Sequence, residues 1–313
     1  MDFPPKIGYA ESKSSGKERI LLKRSLIILL CLCLCLSPAG TALADAPAGQ
    51  ARAVIAADLT EEQITQVYEL FGVKRGSVTE LAITNEEERQ YLDDLVDEAL
   101  IGTHAISCVY LELLSPGEGL QIETHHLTWC SREMILSALV TAGIDDAKII
   151  VAAPFDVSGT AALSGVYKAY EDMSGQPMDD VSKLVSTQEL VVTGDLAEEI
   201  GSYDAVTIVN ELKLLLSETR TMSDESLAEE IRSLAEEYKV PLKDSQIEQL
   251  ITLCRSLEKL DAEALRAKVQ EAQDTIKRLA QAREKAGGIL KTAESIFQSV
   301  RDFFRRILSW FGL

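Results

Sequence analysis

Apolar residues recur along this chain in two rhythms, steps of three and four that mark amphipathic helices and strict alternation that marks half-buried strands. The first helical rhythm carries Ile64, Val67, Leu70 and Phe71 on one face. Thr60-Glu61-Glu62-Gln63 precedes it as a capping box, in which the Thr hydroxyl accepts from a backbone N–H and the Gln side chain reaches back, and Gly72 ends it. A second helix is expected to start at Asn85 with Glu88 as its capping partner, burying Leu92, Leu95, Val96 and Ala99 before Gly102. Between them, Ser77 to Thr84 (SVTELAIT) is β-rich and reads as an edge strand.

Ala105 to Leu114 (AISCVYLELL) is apolar on both alternating faces, as a strand covered on both sides would be. Pro116-Gly117-Glu118-Gly119 turns the chain, and Leu120 to Thr124 alternates, so these two segments read as a β-hairpin. Thr128 or Ser131 then caps a helix with Met134, Ile135, Ala138, Leu139 and Ala142 inward and Gly143 at its end. The apolar run Ala147 to Ala152 follows, which makes strand 120–124, helix 131–142 and strand 147–152 a β-α-β unit. Beyond Gly175 the rhythm is helical, with Val181 to Val192 mixed and β-branched at its end, a short helix from Gly194-Asp195 to Gly201, and a buried helix over Asp204 to Leu216. From Ser223 Glu, Lys, Leu and Ala dominate, which sets a domain boundary near 217–223. There Leu265, Val269, Ala272, Ile276 and Leu279 form a coiled-coil-like seam, and a second run from Ala286 to Phe311 keeps the rhythm out of phase, across a kink at Gly287-Gly288. The expected fold class is α+β, a mixed α/β arrangement: a small mixed sheet with a β-hairpin and a β-α-β unit packed against helices, then a long helical C-terminal region.

Composition adds a compartment. Lys23 and Arg24 precede the apolar run Ser25 to Leu36, and Pro38, Gly40 and the small-x-small site Ala42-Leu43-Ala44 follow, which predicts a signal peptide over residues 1–44 cleaved after Ala44. The mature chain would have 269 residues and a net charge of about −22. So acidic a chain is a poor nucleic-acid binder, because phosphate affinity comes from Lys and Arg. The expected organisation is a flexible arm at 45–54, an α/β domain at 55–217, a coiled-coil-like region at 218–286 and an amphipathic helix at 287–313. Cys108, Cys130 and Cys254 remain after the leader, so at most one intrachain disulfide can form, with Cys108 and Cys130 the candidate pair across the hairpin.

The phrases IGTHAIS (101–107), ETHHLTWCSREM (123–134), ALVTAGIDDAKIIVAAPFDVSGTAALSGVYKAYE (138–171) and ELVVTGDLAEEIG (189–201) carry a family resemblance. They are similar to the YpuA-like secreted proteins, domain of unknown function 1002. The resemblance covers roughly residues 55–215 and implies export and an α/β domain. It supplies no activity, cofactor or catalytic residue.

Candidate chemistry centres on the loop after the strand at 147–152. Asp156, Ser158, Gly159 and Thr160 could aim backbone N–H groups at an anion or a carbonyl oxygen. A P-loop would end in Gly-Lys-Ser/Thr and a nucleophile elbow would flank Ser158 with glycines, and neither pattern is present. The structural alternative makes Ser158 or Thr160 a helix N-cap, Gly159 a tight turn, and Ala161, Ala162 and Gly165 a close-packing surface. His104, His125 and His126 fall within 23 residues, but adjacent histidines on a strand face opposite ways, so no metal site is assigned and no cofactor is expected. Arg301, Arg305, Arg306 and Trp310 on the last helix suit an anionic membrane surface. The reading is an exported, envelope-associated binding or scaffolding protein, non-catalytic, whose partner is an envelope component, a glycan or a membrane surface, with self-association through residues 260–313 as a further candidate. The alternative is a secreted cell-wall-directed hydrolase with its site at loop 154–160.

Overall fold

The structure, a computed structural model, describes residues 49–92, 95, 101–273 and 275–277, with the backbone alone at 202 and 203. The leader expected at 1–44 and the helix expected at 287–313, with Arg301, Arg305, Arg306 and Trp310, lie outside the described residues. The fold is α+β: a five-stranded mixed sheet packed with helices.

The strands are β1 (Ala51–Ala56), β2 (Thr79–Ile83), β3 (Cys108–Leu113), β4 (Leu120–Leu127) and β5 (Ala147–Val157), in the order β2-β1-β3-β5-β4. β1 pairs parallel with β2, β4 parallel with β5, and β3 antiparallel with both β1 and β5. Two parallel β-α-β units therefore flank one antiparallel central strand. The second is the unit expected from the sequence. The first is β1, helix α1 (Glu61–Phe71) and β2, and its opening strand begins inside the stretch expected to be a flexible arm. Val54 and Ile55 explain the difference: each is buried, which a free arm does not allow.

The expected hairpin does not form, because β5 lies between β3 and β4. β3 is buried on both faces and takes a neighbour on each side, whereas β4 alternates buried and exposed residues over Leu120 to Glu123 and takes the sheet edge. The turn between them steps over the start of β5, and Asp146 pins it there. The Leu114 N–H donates to the Asp146 carbonyl at 3.0 Å and the Gly119 N–H to its carboxylate at 2.6 Å.

Helix ends follow local chemistry. α1 has the Thr60–Gln63 capping box and a left-handed Gly72 at its C-terminus. α2 (Asn85–Leu92) is capped one residue earlier than expected: the Thr84 N–H donates to Glu87 and the Glu87 N–H to the Thr84 hydroxyl, so Glu88 is released from capping. α3 (Arg132–Ala142) is capped by Ser131, while the Thr128 hydroxyl donates to the Val157 carbonyl. α4 (Ala162–Ser174) lies on the sheet face that holds Val109 and Val54, and α1 on the other, where Phe71 meets the Tyr110 ring at 6.0 Å. Gly165 brings α4 close, since a Cβ there would stand 2.8 Å from Val109.

α5 (Asp180–Ile200) is a single helix, where the sequence suggests a β-branched end and a new start at Gly194. Gly194 serves packing instead. A Cβ at this position would stand 2.1 Å from the Trp129 ring, whose indole N–H donates to Glu198 at 2.9 Å. α6 (Ser202–Leu214) packs against α5 and α3, and a buried ion pair joins the three. The helices α7 (Leu216–Thr219), α8 (Asp224–Glu237) and α9 (Asp244–Leu257) and a helical stretch over 262–273 complete the described chain. The boundary expected near 217–223 is absent. Arg255 of α9 donates to the carbonyls of Thr219 and Met222 and pairs with Asp224, and Leu227, Ile231, Leu250, Leu265, Val269 and Ile276 belong to the same core as the sheet. The described part of the coiled-coil-like seam is thus buried against the protein itself.

Candidate functional site

The strand directions create one crevice. β1, β2, β4 and β5 all run the same way, so their carboxyl ends share an edge with the entry of β3. From that edge β1 leads to α1 on one face and β5 to α4 on the other, with only β3 between them. Divergence of this kind at the carboxyl ends of parallel strands is where open α/β sheets hold ligands.

A cleft of about 320 Å³ occupies this place. Its walls come from 101–107 before β3, including Thr103, His104 and Ser107, and from the end of β5, including Val157, Ser158 and Thr160. Beyond Ala152 the registers pair β5 with β4 and no longer with β3, which leaves room beside Val157. Bonds hold the rim. Asp58 accepts from the Ala105 N–H at 2.7 Å, Arg89 donates to the Gly102 carbonyl at 2.7 Å, and the Cys108 sulfur accepts from the Ala56 N–H at 3.3 Å.

Glu88 of α2 completes the lining. It is 2% exposed, and its Oε1 has no hydrogen-bond partner. Burial pushes its carboxyl up to about 8; the Asp58 and Glu87 charges add to the shift and the neighbouring Asn85 amide offsets part of it. Asn85 accepts from Arg89 through Oδ1, and its Nδ2 is buried without a partner. A buried carboxylate oxygen with no donor is costly unless a proton or a ligand satisfies it. The sequence pattern presents Glu88 as a capping residue. The signal it carried is its place four residues before the buried Leu92, on the inward face of α2.

The residues singled out from the sequence separate here. Ser158 and Thr160 line the cleft, their hydroxyls 3.3 Å apart, while Asp156 is exposed outside it. Gly159 makes the tight turn at φ +86°, and a Cβ there would stand 3.1 Å from Leu127. Neither hydroxyl caps α4, whose N-cap is Ala161 with no side-chain bond, so Ser158→Ala removes no cap. The carbonyl of Ser158 accepts instead from the Cys130 N–H at 3.0 Å, fastening the turn to the end of β4.

Cys108, Cys130 and Cys254 are buried free thiols. The candidate Cys108–Cys130 bridge depends on a hairpin that does not form, and both thiols are free. Burial pushes the Cys108 thiol up to about 12 and that of Cys130 higher, which suppresses the nucleophilic thiolate. His104 lines the cleft and bonds Thr103 through Nδ1, while His125 faces Glu123 and His126, left-handed at a β-bulge, meets the Ala153 carbonyl. Among the described residues no group of three His, Cys, Asp or Glu side chains could hold a metal ion, and no helix is long and apolar enough to cross a membrane.

The family described as "Protein of unknown function (DUF1002)" matches residues 55–276, farther toward the C-terminus than the phrases read from the sequence. The "Uncharacterized protein YpuA" of Bacillus subtilis (strain 168) is 34% identical over 265 residues, 84% of this chain and 88% of that protein. No solved structure matches the chain.

Proposed function

The chain belongs to the family of unknown function DUF1002, and from that premise we propose an exported, non-catalytic binding protein of the cell envelope that holds its ligand in the cleft above Glu88. The observation that carries this reading is the buried Glu88 oxygen, left without a protein partner at the wall of a cleft large enough for a small group. Export is supported by the leader pattern at 23–44. The segment after 277, with its cationic and aromatic last residues, is the candidate attachment to a membrane or partner.

The test uses the mature chain and isolated cell-wall sacculi. Saturable binding that Thr103→Trp abolishes, with the circular dichroism spectrum unchanged, is the expected result; Thr103 is exposed at the mouth, so the substitution blocks the cleft without entering the core. Binding that is absent, or equal in the variant, contradicts the reading. One observation favours the alternative, a hydrolase: Glu88 holds a proton at neutral pH close to a second carboxyl, Asp58, as a general acid would. Release of soluble fragments by the wild type but not by Glu88→Gln would establish that alternative instead.

A further inference from the structure

We propose that the cleft takes a primary ammonium group, seated against the Glu88 carboxylate. This rests on the cleft being the binding site and names the class of ligand. The buried Oε1 can be satisfied only by an N–H or O–H donor or by a cation. Around it the fixed charges are mostly negative: Asp58 after β1 and Glu87 on α2 both act on Glu88. Among the described residues the nearby cations are engaged elsewhere, Lys168 of α4 with Glu87, and Arg89 with Asn85 Oδ1 and the Gly102 carbonyl. The other described groups near this point are the Asn85 amide, the Cys108 thiol and His104. An ammonium group brings both the missing charge and the missing donors. A divalent ion suits the site less, because it requires several oxygen ligands and among the described residues Glu88 is the only carboxylate in the lining.

The exchange balances in protons. Glu88 enters as the neutral acid, the ligand as R–NH3+; on binding the carboxyl O–H proton goes to solvent and the ammonium replaces it. A neutral hydroxylic ligand would donate to Glu88 without releasing a proton, which separates the two by pH.

Calorimetry of the mature chain with putrescine is the test. Affinity is expected to fall roughly 50-fold from pH 8 to pH 6, with proton release read by changing buffer. Glu88→Gln keeps the shape, removes the charge and should abolish binding; Thr103→Trp, with Glu88 intact, should abolish it as well. His104→Asn must keep the pH dependence, since His104 also lines the cleft. Glucosamine and Nα-acetyl-lysine methylamide distinguish an amino sugar from a peptide side chain as the source of the ammonium, with N-acetylglucosamine as the uncharged comparison. Absent binding at millimolar putrescine, affinity independent of pH, or equal binding to Glu88→Gln each overturns the proposal. If sacculi still bind in a manner sensitive to Thr103→Trp, the ammonium assignment alone has failed; if they do not, the cleft reading has failed with it.

Discussion

Glu88 is the residue on which most depends, and its chemistry has a consequence for stability. Its carboxyl is raised from 4.5 to about 8 in the folded chain, so between those values the folded state binds a proton that the unfolded state has lost. The contribution of this proton is complete below about 4.5 and declines as pH rises, by at most about 1.4 kcal/mol per pH unit, until the group ionises near 8. Glu88→Gln, which cannot ionise, should therefore melt above the wild type at pH 8.5 and no higher at pH 4. Thermal melts across that range check it, and a difference that grows toward acid would be the wrong sign. The sequence presents Glu88 as a capping partner of Asn85, not as a buried group. Its burial depends on what stands across from α2, and that arrangement of the segment before β3 with the end of β5 is a tertiary fact.

At the level of elements, two features of the helical layer are open to test. Gly194 in α5 is a position where alanine would ordinarily add about 1 kcal/mol of helix stability. Here the added Cβ would meet Trp129 at 2.1 Å, so Gly194→Ala is expected to destabilise by about 1–3 kcal/mol and to shift Trp129 fluorescence. Denaturant melts that show a gain would contradict this packing. The second feature is the pair Lys213–Glu189 at 2.8 Å, with side chains 0% and 1% exposed, where the ammonium also reaches the Ser137 carbonyl, Ser137 Oγ and Thr141 Oγ1. Burial pulls the Lys213 pKa down, against the attraction of Glu189. Lys213→Ala leaves a buried carboxylate without its cation and should cost about 3–5 kcal/mol, whereas Lys213→Met combined with Glu189→Leu should cost much less. Equal losses in the two variants, measured by urea unfolding, would show that the pair is not a unit. Both features sit where local rules mislead: a glycine after β-branched residues looks like a break, and a lysine in an apolar rhythm looks like a solvated position.

The whole molecule is less divisible than its composition suggests. The change to Glu, Lys, Leu and Ala after Ser223 looks like a boundary, yet Arg255 stitches that segment down and Lys268 reaches Asp145 at 2.7 Å, beside the start of β5. A chain ended at residue 217 should lose the cooperative unfolding of the full chain and aggregate; a soluble fragment with a sharp transition would restore the boundary. The β4-α3-β5 unit, the edge strand, most caps and the inward face of α3 could be read from periodicity, because those features are local. The position of β5 could not, since a turn of ordinary length between β3 and β4 fits a hairpin equally well until Asp146 is seen to hold it across another strand. The loop expected as a candidate site at 154–160 is split: Ser158 and Thr160 line the cleft, and Asp156 does not.

The central claim, a cleft built around a buried carboxyl that awaits a ligand, is tested most directly by following Glu88 itself. In the mature chain with 13C-labelled glutamate, the carboxyl resonance that disappears in Glu88→Gln should titrate with a midpoint of about 8. Saturating putrescine should move that midpoint downward. A midpoint near the ordinary 4–5 of a solvated glutamate, unmoved by the amine, would contradict the account.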